Sequence, residues 1–233
     1  MAIQLKVACS PQEIDDALWL RHHVYVTEEG LYEGKNWPDQ RIVDRFDVIP
    51  KVAHILAYDR NTPVGGIRLN CETRLGLPPE RYFDFRFHLR SLAHTSIHHT
   101  TPPIIASGGM LAVRKGWRQR RDVILAIYRV AAGVFFSWDV TRIIATVSHK
   151  SASMYHRMGF VSVADQIWNP EIGDHIVPIM ADAKNYYRWA FGESQIPINP
   201  IWQERRRSSC DDCHRLIIED PPMTAAPAKF SFN

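Results

Sequence analysis

Apolar and polar residues alternate through Ile3-Gln4-Leu5-Lys6-Val7, the period of a half-buried strand, and the alternation stops at Ser10-Pro11-Gln12-Glu13. Ser10 can accept from the Glu13 amide while the Glu13 carboxylate reaches back, and Pro11 stands where a missing N–H is harmless. A helix begins there. Ile14, Leu18, Arg21 and Tyr25 share one helical face, which carries the Arg21 guanidinium toward the apolar side and demands a distant partner. Residues 27–51, with Gly30, Gly34, Pro38 and Pro50 among many charges, read as a long irregular loop of the kind that carries function. Residues 52–58 and 64–71 read as a hairpin joined by Asp59-Arg60-Asn61-Thr62-Pro63.

Beyond the hairpin, residues 72–103 mix Pro78, Pro79, aromatics and histidines, a pattern of short helix and loop. Residues 104–113 are apolar around Gly108-Gly109, a core strand with a local irregularity. Arg121-Asp122 opens a helix with Val123, Ile127, Val130, Ala131 and Val134 inward, ending near Ser137. Residues 142–147 form a β-branched strand, and residues 151–157 a short helix closed by Gly159. Residues 161–167 and 175–180 are further strands, and residues 183–191 are helical. Periodicity ends near Pro197, so residues 1–196 form one domain and residues 197–233 a Pro- and Arg-rich tail that lies over it or lacks fixed structure.

Of the 233 residues, 45% are hydrophobic and 23% charged, which excludes collagen, coiled coil and wholesale disorder. A chain of this size hides roughly 70–75% of its extended surface on folding, so stability requires neither metal nor disulfide. The net charge of +3 is too small to imply nucleic-acid binding. The apolar run over residues 123–138 is broken by Arg129 and is shorter than the roughly 20 residues a membrane span needs. The N-terminus lacks a signal-peptide core, pointing to a cytoplasmic protein in which Cys9 and Cys71 are free thiols. Cys210-Asp211-Asp212-Cys213-His214 has haem-attachment spacing, but that chemistry requires export, and a zinc site would need a fourth ligand. A free or oxidisable thiol pair is the plainer reading. His22-His23 and His98-His99 have no metal spacing, and no metal or permanently bound cofactor is expected.

Two groupings carry chemistry. Arg21 on a helix face and Arg68 on a strand need carboxylates if drawn out of water, and Asp44 and Asp47 flank Phe46 between them in sequence. Lys115, Arg118, Gln119, Arg120 and Arg121 follow the strand ending at Val113 and precede a helix start, where backbone N–H groups and the helix dipole favour phosphate.

The element order, with a long strand, basic turn, helix, strand and helix in succession, resembles the GNAT N-acyltransferase fold: α/β (α+β), a central mixed sheet flanked by helices. Ser153-Met154-Tyr155-His156-Arg157-Met158-Gly159-Phe160 resembles that superfamily's C-terminal signature, in which a tyrosine precedes Gly-Phe. Within the superfamily the chain is similar to the acyl-homoserine-lactone (autoinducer) synthases and long-chain N-acyl amino acid synthases. Arg21 with Tyr25, Trp37, Asp44-Arg45-Phe46-Asp47 and Gly66-Ile67-Arg68-Leu69 match elements of that branch in order and approximate spacing. The resemblance implies an N-acyltransferase that takes an acyl chain from acyl carrier protein or acyl-coenzyme A and places it on a small amine. It further implies that Arg21, Trp37, Asp44 and Arg68 bind the acceptor, and that Val113, Lys115, Arg118, Gln119, Arg120 and Arg121 meet the donor. Tyr155 would protonate the departing thiolate, N–H groups at Gly108 and Gly109 would polarise the carbonyl, and water relayed to Asp47 or Glu28 would take the amine proton. Arg121 and Asp122 stand where the superfamily turn has glycines, which suits a single phosphate and an acidic carrier surface. The autoinducer branch carries a Glu and an Arg on the preceding strand, and this chain has Ser107-Gly108-Gly109-Met110-Leu111. An amino acid or similar amine is therefore favoured over S-adenosylmethionine. The alternatives are an acetyl-coenzyme A enzyme acting on a peptide or antibiotic amine, and a non-catalytic acyl-thioester-binding module.

Overall fold

The computed structural model describes residues 3–32, 35–89 and 102–192. The tail from 197 to 233, the Cys210/Cys213/His214 group and His98-His99 lie outside the described residues.

One sheet in the order β1-β2-β3-β4-β5-β8-β6 organises the chain, with β7 pairing a second stretch of β8. Its strands are β1 (Ile3–Val7), β2 (Val52–Asp59), β3 (Thr62–Cys71), β4 (Ile105–Val113), β5 (Arg142–Ser148), β6 (Val161–Ser162), β7 (Ile167–Asn169) and β8 (Asp174–Asp182). The helices are α1 (Pro11–His22), α2 (Arg121–Ser137), α3 (Ala152–Arg157) and α4 (Ala183–Phe191). α1 and α2 lie on opposite faces. A Cβ on Gly65 would meet Ile127 of α2, and one on the next residue, Gly66, would approach Leu20 of α1. The larger core lies beneath α2 and α4, and a smaller one joins α1 to Leu56, Tyr58 and Ala112.

Ser10 and Glu13 form the reciprocal cap expected at α1. The buried face of that helix is Ala17, Leu20 and Arg21, continued by Val24, rather than the face of Ile14, Leu18 and Tyr25; Ile14 is 39% exposed. The reason lies at its end. The helix widens into a π-turn over His23–Glu28, which turns Tyr25 away from the α-helical stripe and lets its hydroxyl donate to the Leu111 carbonyl at 2.8 Å.

The strand expected over residues 161–167 is two short pieces. Both pair with β8, but six residues from Ser162 to Ile167 oppose four from Ile179 to Ile176, so the excess loops out. The irregularity expected at Gly108-Gly109 lies one step later. Gly109 faces Arg68 and Ala112 faces Gly66, so Met110 and Leu111 together oppose Ile67 in a β-bulge, with Met110 at φ 54.

β4 and β5 form the sheet's one parallel pair among the described strands, and they pair only through Ile105–Ser107 and Arg142–Ile144. Beyond Ser107 they diverge, and Gly108 is the first residue of the gap. No helix among the described residues is long and apolar enough to cross a membrane.

Candidate active site

On the α1 face the two arginines share one carboxylate. Asp47 Oδ1 lies 2.7 Å from Arg21 Nη1 and 2.9 Å from Arg68 Nη1. Asp44 takes the other side of Arg68 with both oxygens, at 2.6 and 3.0 Å. The side chains of Arg21, Arg68 and Asp47 are 3%, 2% and 4% exposed, so three of the four balancing charges are almost completely out of water, and Asp44 is 26% exposed. Local geometry explains why the acids arrive together. The Asp47 N–H donates to the Asp44 carbonyl, the Asp44 N–H donates to Asp47 Oδ2, and the Phe46 N–H donates to Asp44 Oδ1, closing residues 44–47 into a turn. Phe46 is buried beneath that turn, with its carbonyl held by Asn70 Nδ2 at 2.8 Å and its ring 5.9 Å from the Arg68 guanidinium.

Burial pushes the Asp47 carboxyl upward, but the Arg21 and Arg68 charges and its hydrogen bonds outweigh this and hold it below the ordinary carboxylate range. His54, on β2, receives Arg21 Nη2 at 2.8 Å on Nδ1. Burial, and then the Arg21 charge, push its pKa down to about 4, so it is neutral and accepts at Nδ1. His54 was legible in the sequence only as a strand histidine. Trp37 packs in an aromatic row, its ring 5.9 Å from that of Tyr32, which in turn is 6.1 Å from Tyr25. Among the described residues, Trp37 Nε1, His54 Nε2 and Arg68 Nε are buried without a hydrogen-bond partner.

The opposite face holds a narrow apolar cavity of about 20 Å3 beside the point where β4 and β5 cease to pair. Gly108, Ile67 and Leu69 line its sheet side, and Ala131, Phe135 and Tyr186 its helical side. Tyr155 of α3 lines it too, with its hydroxyl 2.5 Å from that of Tyr128 on α2. Burial raises the pKa of Tyr155, against a lowering by the hydrogen bond it shares with Tyr128. Tyr128 was missed because it lies inside an apolar helix; the one signal was a hydroxyl adjacent to the inward-facing Ile127.

The basic turn is a 3₁₀ turn, Lys115–Trp117, ahead of α2, whose N-terminus no side chain caps. Glu28, at the end of the π-turn, accepts from the Lys115 backbone N–H at 2.7 Å and from Arg118 Nη2 at 2.9 Å. Arg118 also reaches Glu29 at 3.0 Å and the Val113 carbonyl at 3.0 Å. Arg120 pairs with Asp122 on the surface, and Gln119 and Arg121 are exposed.

The three groups therefore converge on one strand. Arg68, the β3 member of the charged network, is the register partner of Gly109, Gly108 borders the cavity, and the basic turn continues β4 beyond Val113. A Cβ at Gly109 would meet nothing within 4 Å, so one side of the strand is open to approach there.

No curated protein matches the chain in sequence. Among solved structures, FeeM, an N-acyl amino acid synthase from uncultured soil microbes, superposes with TM-score 0.62 at 10% identity, covering 81% of this chain and 95% of that one. The acyl-homoserine-lactone synthase LasI gives TM-score 0.56 at 16% identity over 82% of this chain and 94% of that one. BjaI, a coenzyme A-dependent acyl-homoserine-lactone synthase, gives 0.58 at 19% over 81% and 88%. These likenesses establish the GNAT-like fold. The family model "N-acyl amino acid synthase FeeM" matches residues 16–182, a stretch that runs from α1 through the turn of Asp44 and Asp47, the bulged strand and Tyr155 to the end of β8. The chain belongs to that family and is an N-acyltransferase.

Proposed function

We propose that the enzyme moves an acyl chain from acyl carrier protein or coenzyme A to the amine of an amino acid or similar small molecule. The observation that carries this is that Gly108 of β4 borders an apolar cavity while its neighbour Gly109 pairs in register with Arg68, the β3 member of the carboxylate–guanidinium network. In this reading the thioester arm runs through the gap between β4 and β5, the acyl chain enters the cavity, and N–H groups of the glycine segment polarise the carbonyl. The phosphate of the arm meets Lys115, Arg118 and the uncapped start of α2, with Val113, Gln119, Arg120 and Arg121 around it. FeeM and BjaI, whose names record an amino acid acceptor and a coenzyme A donor, support both halves of the reading.

The amine nitrogen attacks the carbonyl carbon, the C–S bond breaks with its electron pair on sulfur, and Tyr155 gives its proton to that sulfur. Asp47 is poorly suited to take the amine proton, because both its oxygens are engaged and its carboxyl is held in the charged form. Its role here is to fix Arg21 and Arg68, and water takes the proton. Arg21, Trp37, Asp44 and Arg68 then shape the acceptor side.

Purified protein is incubated with thioesters of increasing chain length on both carriers, together with amino acids, while free thiol and product mass are followed. Arg68→Ala should abolish turnover. Absence of thiol release with every donor and amine would refute the reading.

A further inference from the structure

Tyr128 and Tyr155 face each other beneath the β4–β5 gap, rings edge to face at 82° with hydroxyls 2.5 Å apart. Each phenol has one proton to give, and neither hydroxyl has another partner among the described residues. Tyr128 is held firmly, since its carbonyl receives the Tyr186 hydroxyl at 2.7 Å and its side chain is 3% exposed with its residue. Two arrangements of the pair are possible. If Tyr155 donates to Tyr128, its proton is spent inside the protein and none is left for a departing thiolate. If Tyr128 donates, the Tyr155 proton is free to point into the cavity both rings border. A Tyr155 that protonates the leaving sulfur requires the second arrangement, and the 2.5 Å separation places the Tyr128 hydroxyl to supply it.

Resting on the acyl-transfer reading above, we infer that Tyr128 is a positioning residue for that reaction: it donates to Tyr155 Oη, aims the Tyr155 proton at the leaving sulfur, and steadies the phenolate left behind. When the C–S bond breaks, sulfur keeps the electron pair and receives the Tyr155 proton. The Tyr155 oxygen, now anionic, is held by the Tyr128 hydroxyl, where a hydrogen bond to charge is roughly twice as strong as a neutral one. Water then returns a proton to Tyr155, matching the one shed by the attacking nitrogen, so the net change is amine plus thioester to amide plus thiol. Tyr128 is buried on α2, and the facing hydroxyl on α3 gives it this second task.

The test compares Tyr128→Phe, Tyr155→Phe and the double variant on two donors, an alkyl thioester and an aryl thioester whose thiol is acidic enough to leave unprotonated. On the alkyl donor Tyr128→Phe should lower kcat by roughly tenfold to a hundredfold with KM little changed, the scale of a lost hydrogen bond to a charged group. That deficit should largely vanish on the aryl donor, and adding Tyr128→Phe to Tyr155→Phe should change nothing further. Wild-type rates in Tyr128→Phe, equal losses on both donors, additive losses, or a larger loss than in Tyr155→Phe would each overturn the inference. If Tyr128→Phe does not fold, 3-fluorotyrosine at position 128 keeps the ring and strengthens the donor. The alkyl-to-aryl rate ratio should then move, and an unchanged ratio overturns the inference. A native enzyme that releases no thiol from either donor would instead remove the acyl-transfer reading, and this inference with it.

Discussion

Replacing Asp47 by asparagine keeps the side chain's shape and removes the charge that two guanidinium groups share. Neither orientation of the new amide fits. With its oxygen toward Arg21 and Arg68, its NH2 opposes the Asp44 N–H that now donates to Asp47 Oδ2 at 2.9 Å. Turned over, the NH2 faces two guanidinium groups lying 2.7 and 2.9 Å from the present oxygen. Removing one member of a buried ion pair costs about 3–5 kcal/mol, because the charge left behind is desolvated and unpaired. Here the lower end applies: Asp44 still holds Arg68 with both oxygens, whereas Arg21 keeps only the neutral His54. About 3 kcal/mol in a domain of this size lowers Tm by roughly 6–12 °C. Denaturant melts of both proteins at neutral pH should differ in midpoint with the same slope. The pH dependence supplies a second check. Because the folded pKa of Asp47 is below the unfolded one, its contribution is complete above the ordinary value of 3.8 and disappears as pH falls through the folded value. The two stability curves should therefore converge in acid. A loss below about 0.5 kcal/mol, the size of an ordinary surface substitution, or a gap that persists in acid, would refute the argument.

Glu28→Gln should weaken the competition for the Lys115 N–H and Arg118, which Glu29 still pairs, and so favour a donor phosphate; since Arg118 is 35% exposed, the gain is at most about 1 kcal/mol, up to roughly fivefold in donor KM. An unchanged or raised KM would show that Glu28 does not compete there. Ala131→Phe should fill the cavity and shift preference toward short acyl chains, since each buried methylene is worth about 0.8 kcal/mol, close to fourfold in kcat/KM. Parallel decline on short and long donors would place the acyl chain elsewhere. His54 has a folded pKa near 4, below its unfolded 6.5, so native stability should fall as pH drops from 6.5 toward 4. His54→Gln should flatten that window, and an identical slope in calorimetry would remove His54 as its source.

The amino-acid sequence by itself determined the elements whose signals are local. The Ser10/Glu13 cap, the apolar face of α2 from Val123 to Val134 and the Gly159 stop depend on neighbours a few residues away, and each stands where periodicity and capping put it. Charge logic went further, because buried guanidinium groups need carboxylates. Arg21, Arg68, Asp44 and Asp47 could thus be grouped across the chain, although their sharing of one oxygen could not be foreseen. What only the tertiary structure decided depends on strand pairing and on side chains meeting from different elements. The bulge at Met110-Leu111 is fixed by the register of β4 against β3, and the break between β6 and β7 by their register on β8. The engagement of Arg118 by Glu28 and the contact of Tyr128 with Tyr155 join residues 90 and 27 positions apart. No periodicity reaches that far: local pattern tells which face a residue takes, and only the packing of faces tells what it touches.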